Sequence, residues 1–238
     1  MKLSIVVPAH NEEENIVNVI DKIEKGLNLD YELIIVNDHS TDRTEELVQG
    51  LFGKYPNLRL VENLNPGGFA NAIKAGFSSM HTEVVVPVMG DLCDDLQTIN
   101  LMYNKIEEGY DVICGSRYMG SGQRLGGSRL KSFLSCSAGK SLHYLSGLPT
   151  HDIANAFKMY RMEVIKAVDI KSEGFEISME ITLKAYYKGF KITEVPTVWR
   201  ERTKGKSNFK IFKLLPGYLK LYIWAFYKSL TKEKEKNV

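Results

Sequence analysis

Apolar residues in this chain fall into short runs separated by stretches of helical periodicity. Leu3 to Val7, Tyr31 to Val36, Leu58 to Val61, Val84 to Val88 and Asp111 to Cys114 are rich in β-branched and aliphatic residues, as expected of strands covered on both faces. Between them, Ile16, Val19, Ile20 and Ile23 repeat at helical spacing behind the acidic group Glu12-Glu13-Glu14, which suits the positive end of a helix. Further helices are predicted over Glu45 to Phe52, Ala70 to Ser78 and Leu96 to Glu108. Ser40 or Thr41 is placed to cap the first of these three. Strands alternating with helices predict right-handed crossovers and a mostly parallel α/β sheet.

The pattern changes after Gly115. Gly115 to Ser128 is polar, glycine-rich and long for a connection, in the manner of functional or mobile loops. Leu130 to Leu145 reads as a helix, Ala154 to Tyr160 as a strand, Phe175 to Tyr187 as a helix and Phe190 to Val198 as a strand. From Asn208 to Leu230, leucines and aromatics alternate with Lys210, Lys213, Lys220 and Lys228. Pro216-Gly217 is expected to split this segment into two short amphipathic helices. Such helices suit the water–membrane boundary; closing the core or pairing with another chain is the competing expectation. The charged end Thr231 to Val238 is expected to be disordered. The division is therefore a catalytic-type domain over 1–207, interfacial helices over 208–230 and a tail over 231–238.

The run Val84 to Val88 carries the chemistry. It stops at Met89-Gly90 and delivers Asp91, Asp94 and Asp95 into a loop. Carboxylates at the carboxyl end of a buried parallel strand stand where open α/β sheets bind ligands, and hard oxygen ligands suit Mg²⁺ or Mn²⁺ carrying a diphosphate. Asp94 and Asp95 are also well placed to cap the next helix. Pro8-Ala9-His10-Asn11-Glu12 and Asn37-Asp38-His39-Ser40 end two other strands, so a parallel sheet brings all three loops to one edge. Neither GxGxxG after the first strand nor GxxxxGK[ST] anywhere is present, which leaves a carboxylate-held metal to neutralise a diphosphate.

Composition narrows the class. A net charge of +2 with 25% charged residues gives no reason to expect nucleic acid. Three cysteines without CxxC spacing point to a reducing compartment rather than a disulfide framework. Five histidines without HxxxH or HExxH spacing argue against zinc. The apolar N-terminus is too short for a signal peptide, and no run reaches the roughly 18 residues of a spanning helix.

Several segments, taken in order, resemble family 2 inverting glycosyltransferases. These are Val6-Val7-Pro8-Ala9-His10-Asn11-Glu12, Ile34-Ile35-Val36-Asn37-Asp38-His39-Ser40 and Asn65-Pro66-Gly67-Gly68-Phe69-Ala70-Asn71. Gly115-Ser116-Arg117-Tyr118, Asp152-Ile153-Ala154-Asn155, Phe175-Glu176 with Glu180, and Val195-Pro196 are similar to the polyprenyl-phosphate (dolichol-phosphate) mannosyl- and glucosyltransferase branch. The likeness extends over about residues 1–210. It implies a GT-A (Rossmann-like) fold and transfer of a hexose, with inversion, from a nucleotide-diphosphate sugar such as GDP- or UDP-hexose to polyprenyl phosphate. It implies that Pro8, Ala9, Asn11, Glu12, Asp38 and Gly68 bind the donor, and that Asp91 holds Mg²⁺ or Mn²⁺. Arg117, Arg129, Lys131, Arg202 and Lys206 would face the acceptor phosphate, because cations orient a dianion and arginine does so bidentately. The expected location is cytoplasmic, peripheral on the inner face of the membrane.

A lipid phosphate is already an anion and needs no general base; a saccharide or lipid hydroxyl does, and Asp152 is then the first choice. With Asp91 and Arg117, Asp152 completes the candidate catalytic set. Four departures from the family pattern stand out, one being Cys93 where a polar side chain is common. Met89 occupies the position of the first metal-site acid, Asn37 that of a common Asp, and His39 that of a common Gly. Asp94, a carbonyl, water or the diphosphate itself can complete a metal octahedron. The competing readings are transfer to a hydroxyl and a catalytically silent nucleotide-sugar-binding homologue.

Overall fold

A computed structural model describes residues 3–201 and 211–231. The chain runs β1 (Leu3–Ala9), α1 (Ile16–Gly26), β2 (Tyr31–Asn37), α2 (Thr44–Gln49), β3 (Leu58–Glu62), α3 (Phe69–Ser79), β4 (Val84–Pro87), α4 (Thr98–Glu107) and β5 (Val112–Ser116). It continues with β6 (Gln123–Leu125), α5 (Arg129–Ser146), β7 (Lys158–Arg161), α6 (Met162–Ala167), α7 (Ile177–Tyr187), β8 (Ile192–Pro196), β9 (Val198–Arg200) and α8 (Ile211–Thr231). Seven strands form one sheet in the order β3-β2-β1-β4-β7-β5-β8, and β6 pairs with β9 in a second. Every pairing in the large sheet is parallel except those of β7, which runs antiparallel to both neighbours.

Alternate residues of the apolar runs face opposite layers. Leu3, Ile5 and Val7 join Ile16, Ile20 and Ile23 of α1 and Ile99, Met102 and Ile106 of α4. Val6, Ile34 and Val36 face Ile73 and Phe77 of α3 and Ile177 and Ile181 of α7. At Gly76 a Cβ would lie 2.3 Å from Val6 Cγ1, so only glycine lets α3 lie this close to the sheet. A third cluster gathers Leu142 of α5, Met179, Leu183 and Tyr187 of α7, and Ala225 of α8.

Four predicted features are corrected. The strand expected from Ala154 begins at Lys158, because Asn155 is tied by its side chain to the Gly115 carbonyl (2.8 Å) and holds the preceding residues in a turn. The long loop after Gly115 contains β6. Phe190 to Val198 is two strands: the Thr197 N–H still donates to Ser116 O, while its carbonyl accepts from Gln123 N, both at 3.0 Å, so the chain leaves the large sheet there and joins β6. Finally, α8 is one helix through Pro216, not two. The missing N–H removes one helical bond, and the packing of Tyr218, Leu221, Tyr222 and Trp224 on the third cluster offsets that loss.

Candidate active site

The carboxyl ends of β1, β2 and β4 lie side by side, with Pro8 level with Val36 and Ala9 with Asn37. A Cβ on Gly90 would sit 3.7 Å from Pro8 O, which places the Asp91 loop next to the β1 loop. Among the described residues, the non-glycine residues with positive φ are Asn11 (52°), His39 (56°) and Leu92 (49°). Each follows one of these three strands, and such backbone strain concentrates at functional loops. A φ of 56° also accounts for the glycine common at position 39 in the family, since glycine adopts that conformation freely.

Asp38 is the hub of the rim. Its carboxylate accepts from Asn63 Nδ2 (2.6 Å) and from the Gly68 N–H (2.8 Å). Its backbone N–H donates to Ala9 O at 2.7 Å. It thereby ties together the ends of β1, β2 and β3 and the start of α3. Asn37 has a local explanation too: its amide donates to the Glu62 carboxylate (3.0 Å) and its carbonyl accepts from Ser40 N–H (3.1 Å). An aspartate could not make the first of these bonds. Ser40 and Thr41 do not cap α2, contrary to expectation. They join the β1 loop instead, Ser40 Oγ accepting from Asn11 N–H and Asn11 Oδ1 accepting from Thr41 N–H. Asp42 takes the Thr44 N–H at 3.0 Å in their place. Pro8 and Glu12 are half-buried, Ala9 is buried and Asn11 is exposed along this rim.

In the loop after β4, Met89 and Asp91 are half-buried and Cys93 and Asp94 are buried. Asp91 Oδ1 accepts from the Cys93 N–H at 3.2 Å. No three His, Cys, Asp or Glu side chains come together as a preformed cation site among the described residues. The Oδ1 of Asp94 is buried and has no hydrogen-bond partner among them. Burial, with the negative charges of Asp91 and Asp152, pushes the Asp94 carboxyl up to about 7, against the pull of Arg117. From about pH 4 to 7 the folded chain therefore keeps a proton that the unfolded chain releases, and stability falls as pH rises through that window. Asp94→Asn is expected to add about 2–4 kcal/mol at pH 8 in chelator and nothing at pH 4. Thermal melts at the two pH values check this, with equal shifts at both counting against it.

On the other side of the rim, Arg117 follows β5 and Asp152 precedes the antiparallel β7, which brings both to the same edge. Their side chains form a two-pronged pair, Nε to Oδ2 at 2.7 Å and Nη2 to Oδ1 at 2.9 Å, and the Arg117 N–H adds a third bond at 3.0 Å. Asp152 is 0% exposed and the Arg117 side chain 9%. The Asp152 carboxylate, the candidate general base, is sealed here and charge-paired with Arg117. Arg117 Nη2 also donates to Ser135 Oγ of α5 (3.2 Å). Arg129 is exposed at the start of α5. The side chain of Lys131, and Arg202 and Lys206 entirely, lie outside the described residues. Glu180 is buried and accepts from the Ser172 N–H (2.7 Å) and Lys184 Nζ (2.6 Å), which makes it a clamp for the chain before α7.

Sequence reasoning missed three contributors. Asn63 stands at a fourth strand end, a position that could have flagged it. Glu194 braces the approach to Asp152, accepting from His151 N–H (2.7 Å) and Thr150 Oγ1 (3.0 Å). Lys158 is fully buried, donates to Ile153 O at 2.7 Å and is pushed down to about 8 by burial. Neither of the last two carries a sequence signal: Lys158 sits on β7 inside the sheet, and Glu194 on β8 meets residues more than forty positions earlier.

Comparison with known proteins accords with this geometry. A dolichol-phosphate mannosyltransferase of Pyrococcus furiosus is 32% identical over 232 residues, which are 94% of this chain and 64% of that protein. This chain thus spans less than two thirds of that relative's length. A polyprenol monophosphomannose synthase of Mycolicibacterium smegmatis is 25% identical over 93% of this chain and 86% of its own. Among solved structures, glucosyl-3-phosphoglycerate synthase from Mycobacterium tuberculosis in complex with uridine diphosphate superposes with a TM-score of 0.68. It is 17% identical, over 96% of this chain and 79% of that one. TarS 1–349 of S. aureus in complex with UDP-GlcNAc gives 0.63 at 23% identity, over 87% and 60%. These likenesses fix a GT-A fold. The profile named "Glycosyl transferase family 2" matches residues 4–169, from the first strand through the Asp91 loop to the Arg117–Asp152 pair, and the chain is a member of that family.

Proposed function

We propose that the chain transfers a hexose from a nucleotide-diphosphate sugar to a polyprenyl phosphate at a membrane surface. The observation that carries this reading is the surroundings of Arg117. Its partner helix α5 exposes Leu130, Phe133 and Leu134, and the neighbouring α8 exposes Leu215, Leu219, Ile223, Phe226 and Leu230 in one stripe. Ser141 of α5 and Tyr222 of α8 hydrogen-bond at 2.9 Å, which joins the two helices. An arginine beside an apolar double-helix face fits a molecule that is anionic at one end and hydrocarbon along the rest. Such a face also suits a lipid surface, with Lys140 and Lys220 exposed beside it. The names of the two sequence relatives point the same way. No described helix is long and apolar enough to cross a membrane; the contact proposed here is peripheral, on the inner face.

The donor lies across the β1, β2 and β4 ends, with Pro8, Ala9, Asn11, Glu12 and Asp38 around the nucleotide and the Gly68 turn braced by Asp38. A divalent cation, Mg²⁺ or Mn²⁺, held by Asp91 would neutralise charge on the departing diphosphate. An acceptor phosphate oxygen bonds to the sugar C1 on the face opposite the leaving group, and the bond from C1 to the diphosphate oxygen breaks, giving inversion. No base is needed, because the acceptor is already ionised. Arg117, held rigid by Asp152 and Ser135, orients the phosphate, and most of the acceleration comes from position and charge.

The test has two arms. Incubation with GDP- and UDP-hexoses and either polyprenyl phosphate or a soluble saccharide is expected to give product with the lipid phosphate alone. The chain is also expected to float with anionic liposomes, and Ile223→Glu with Phe226→Glu to reduce recovery at least tenfold. Saccharide product, or flotation unchanged by the double substitution, would overturn the corresponding half of the reading.

A further inference from the structure

Position 89, where the family pattern has an acid, holds a methionine. A thioether is a soft, weak acceptor and a poor ligand for Mg²⁺ or Mn²⁺. Asp91 alone gives a divalent cation one protein carboxylate, and no ready three-ligand cluster exists among the described residues.

Asp94 has the features of the missing arm. It is 9% exposed, and its Oδ1 lacks a hydrogen-bond partner among the described residues. Buried polar oxygens are nearly always partnered, and each exception calls for a cause such as an absent ion. The charged groups acting on it are Arg117, Asp91 and Asp152. The guanidinium is engaged in a fork with Asp152 and bonded to Ser135, and the buried Asp94 oxygen receives no bond from it. A bound divalent cation would supply that oxygen with its missing partner. The loop is also pinned. Asp94 bridges to Trp199 of β9, Asp95 N–H donates to Val198 O (3.1 Å), and Arg200 N–H donates to Cys93 O (2.7 Å). Arg124 of β6 stacks on the Trp199 ring at 4.5 Å. The backbone carrying Asp94 is thus fixed before any ligand arrives.

We infer that Asp94 supplies the second carboxylate for the diphosphate-bound cation, replacing the acid that Met89 displaces. The inference rests on the donor half of the proposed function and is independent of the acceptor. Asp91 and Asp94 would then hold the ion together with diphosphate oxygens and water, a set suited to octahedral Mg²⁺ or Mn²⁺.

Mn²⁺ binding is read directly by the loss of the free-ion electron paramagnetic resonance signal, with the full chain and either GDP or UDP present. Asp94→Asn is expected to weaken Mn²⁺ at least tenfold without lowering the melting temperature. Met89→Asp on the Asp94→Asn background is expected to recover at least tenfold. Less than tenfold weakening by Asp94→Asn, with binding lost in Asp91→Asn, would overturn the role of Asp94 and leave the rest of the donor site standing. Full binding in both single variants, or none in the unaltered chain with either nucleotide, would overturn the cation site as a whole. Neither result bears on which acceptor is used.

Discussion

Asp91→Ala is expected to lower sugar transfer by about 10³-fold or more, an increase in barrier of about 4 kcal/mol. The side chain stands half-buried at the end of β4, beside the β1 loop, where the leaving diphosphate is proposed to lie. One of its carboxylate oxygens accepts the Cys93 N–H, a loop bond worth about 1 kcal/mol. Melting temperature is expected to shift by a few degrees, with circular dichroism unchanged. Loss of transfer with a retained fold is the result that supports the assignment. Transfer close to that of the unaltered chain would remove Asp91 from the reaction.

The second large effect falls on stability as well as turnover. Asp152→Asn keeps the shape of the side chain but leaves the Arg117 guanidinium buried without its counter-charge. Breaking one half of a buried pair costs about 3–5 kcal/mol, a fall of roughly 10 °C for a chain of this size. Transfer should fall with it, since Arg117 loses its orientation. Arg117→Met combined with Asp152→Leu should recover most of the stability and none of the transfer. A general base would behave differently: Asp152→Asn would then melt normally and lose only the alkaline-rising limb of its pH–rate profile. Denaturant melts and a pH profile of the same variant separate the two roles.

Much of the donor half is legible in the sequence because it is built from local signals. The runs ending at Ala9, Asn37 and Val88 are apolar throughout, and the polar residues that follow must lie at one edge of any parallel sheet. The acceptor half is not built that way. Arg117 and Asp152 are 35 residues apart, and their meeting depends on β7, a four-residue strand carrying a buried lysine that no apolar pattern announces. The same holds for Asp94. Its sequence position suits a helix cap, and its burial follows from β9, a three-residue strand too short to show periodicity. In α8 the single helix overrides the expected break at Pro216, because tertiary packing outweighs a local propensity.

The place of β7 also shapes how the chain is made. β4 and β5 follow one another in sequence, yet they do not touch in the sheet; the strand between them is synthesised later. While the polypeptide leaves the ribosome, the partly built sheet has two exposed backbone edges until Lys158–Arg161 arrives to close them. Unpaired edges invite association with other chains. Translation through this interval is therefore the stage at which help from chaperones would matter most, and shortened chains ending before residue 158 would keep the gap permanently open.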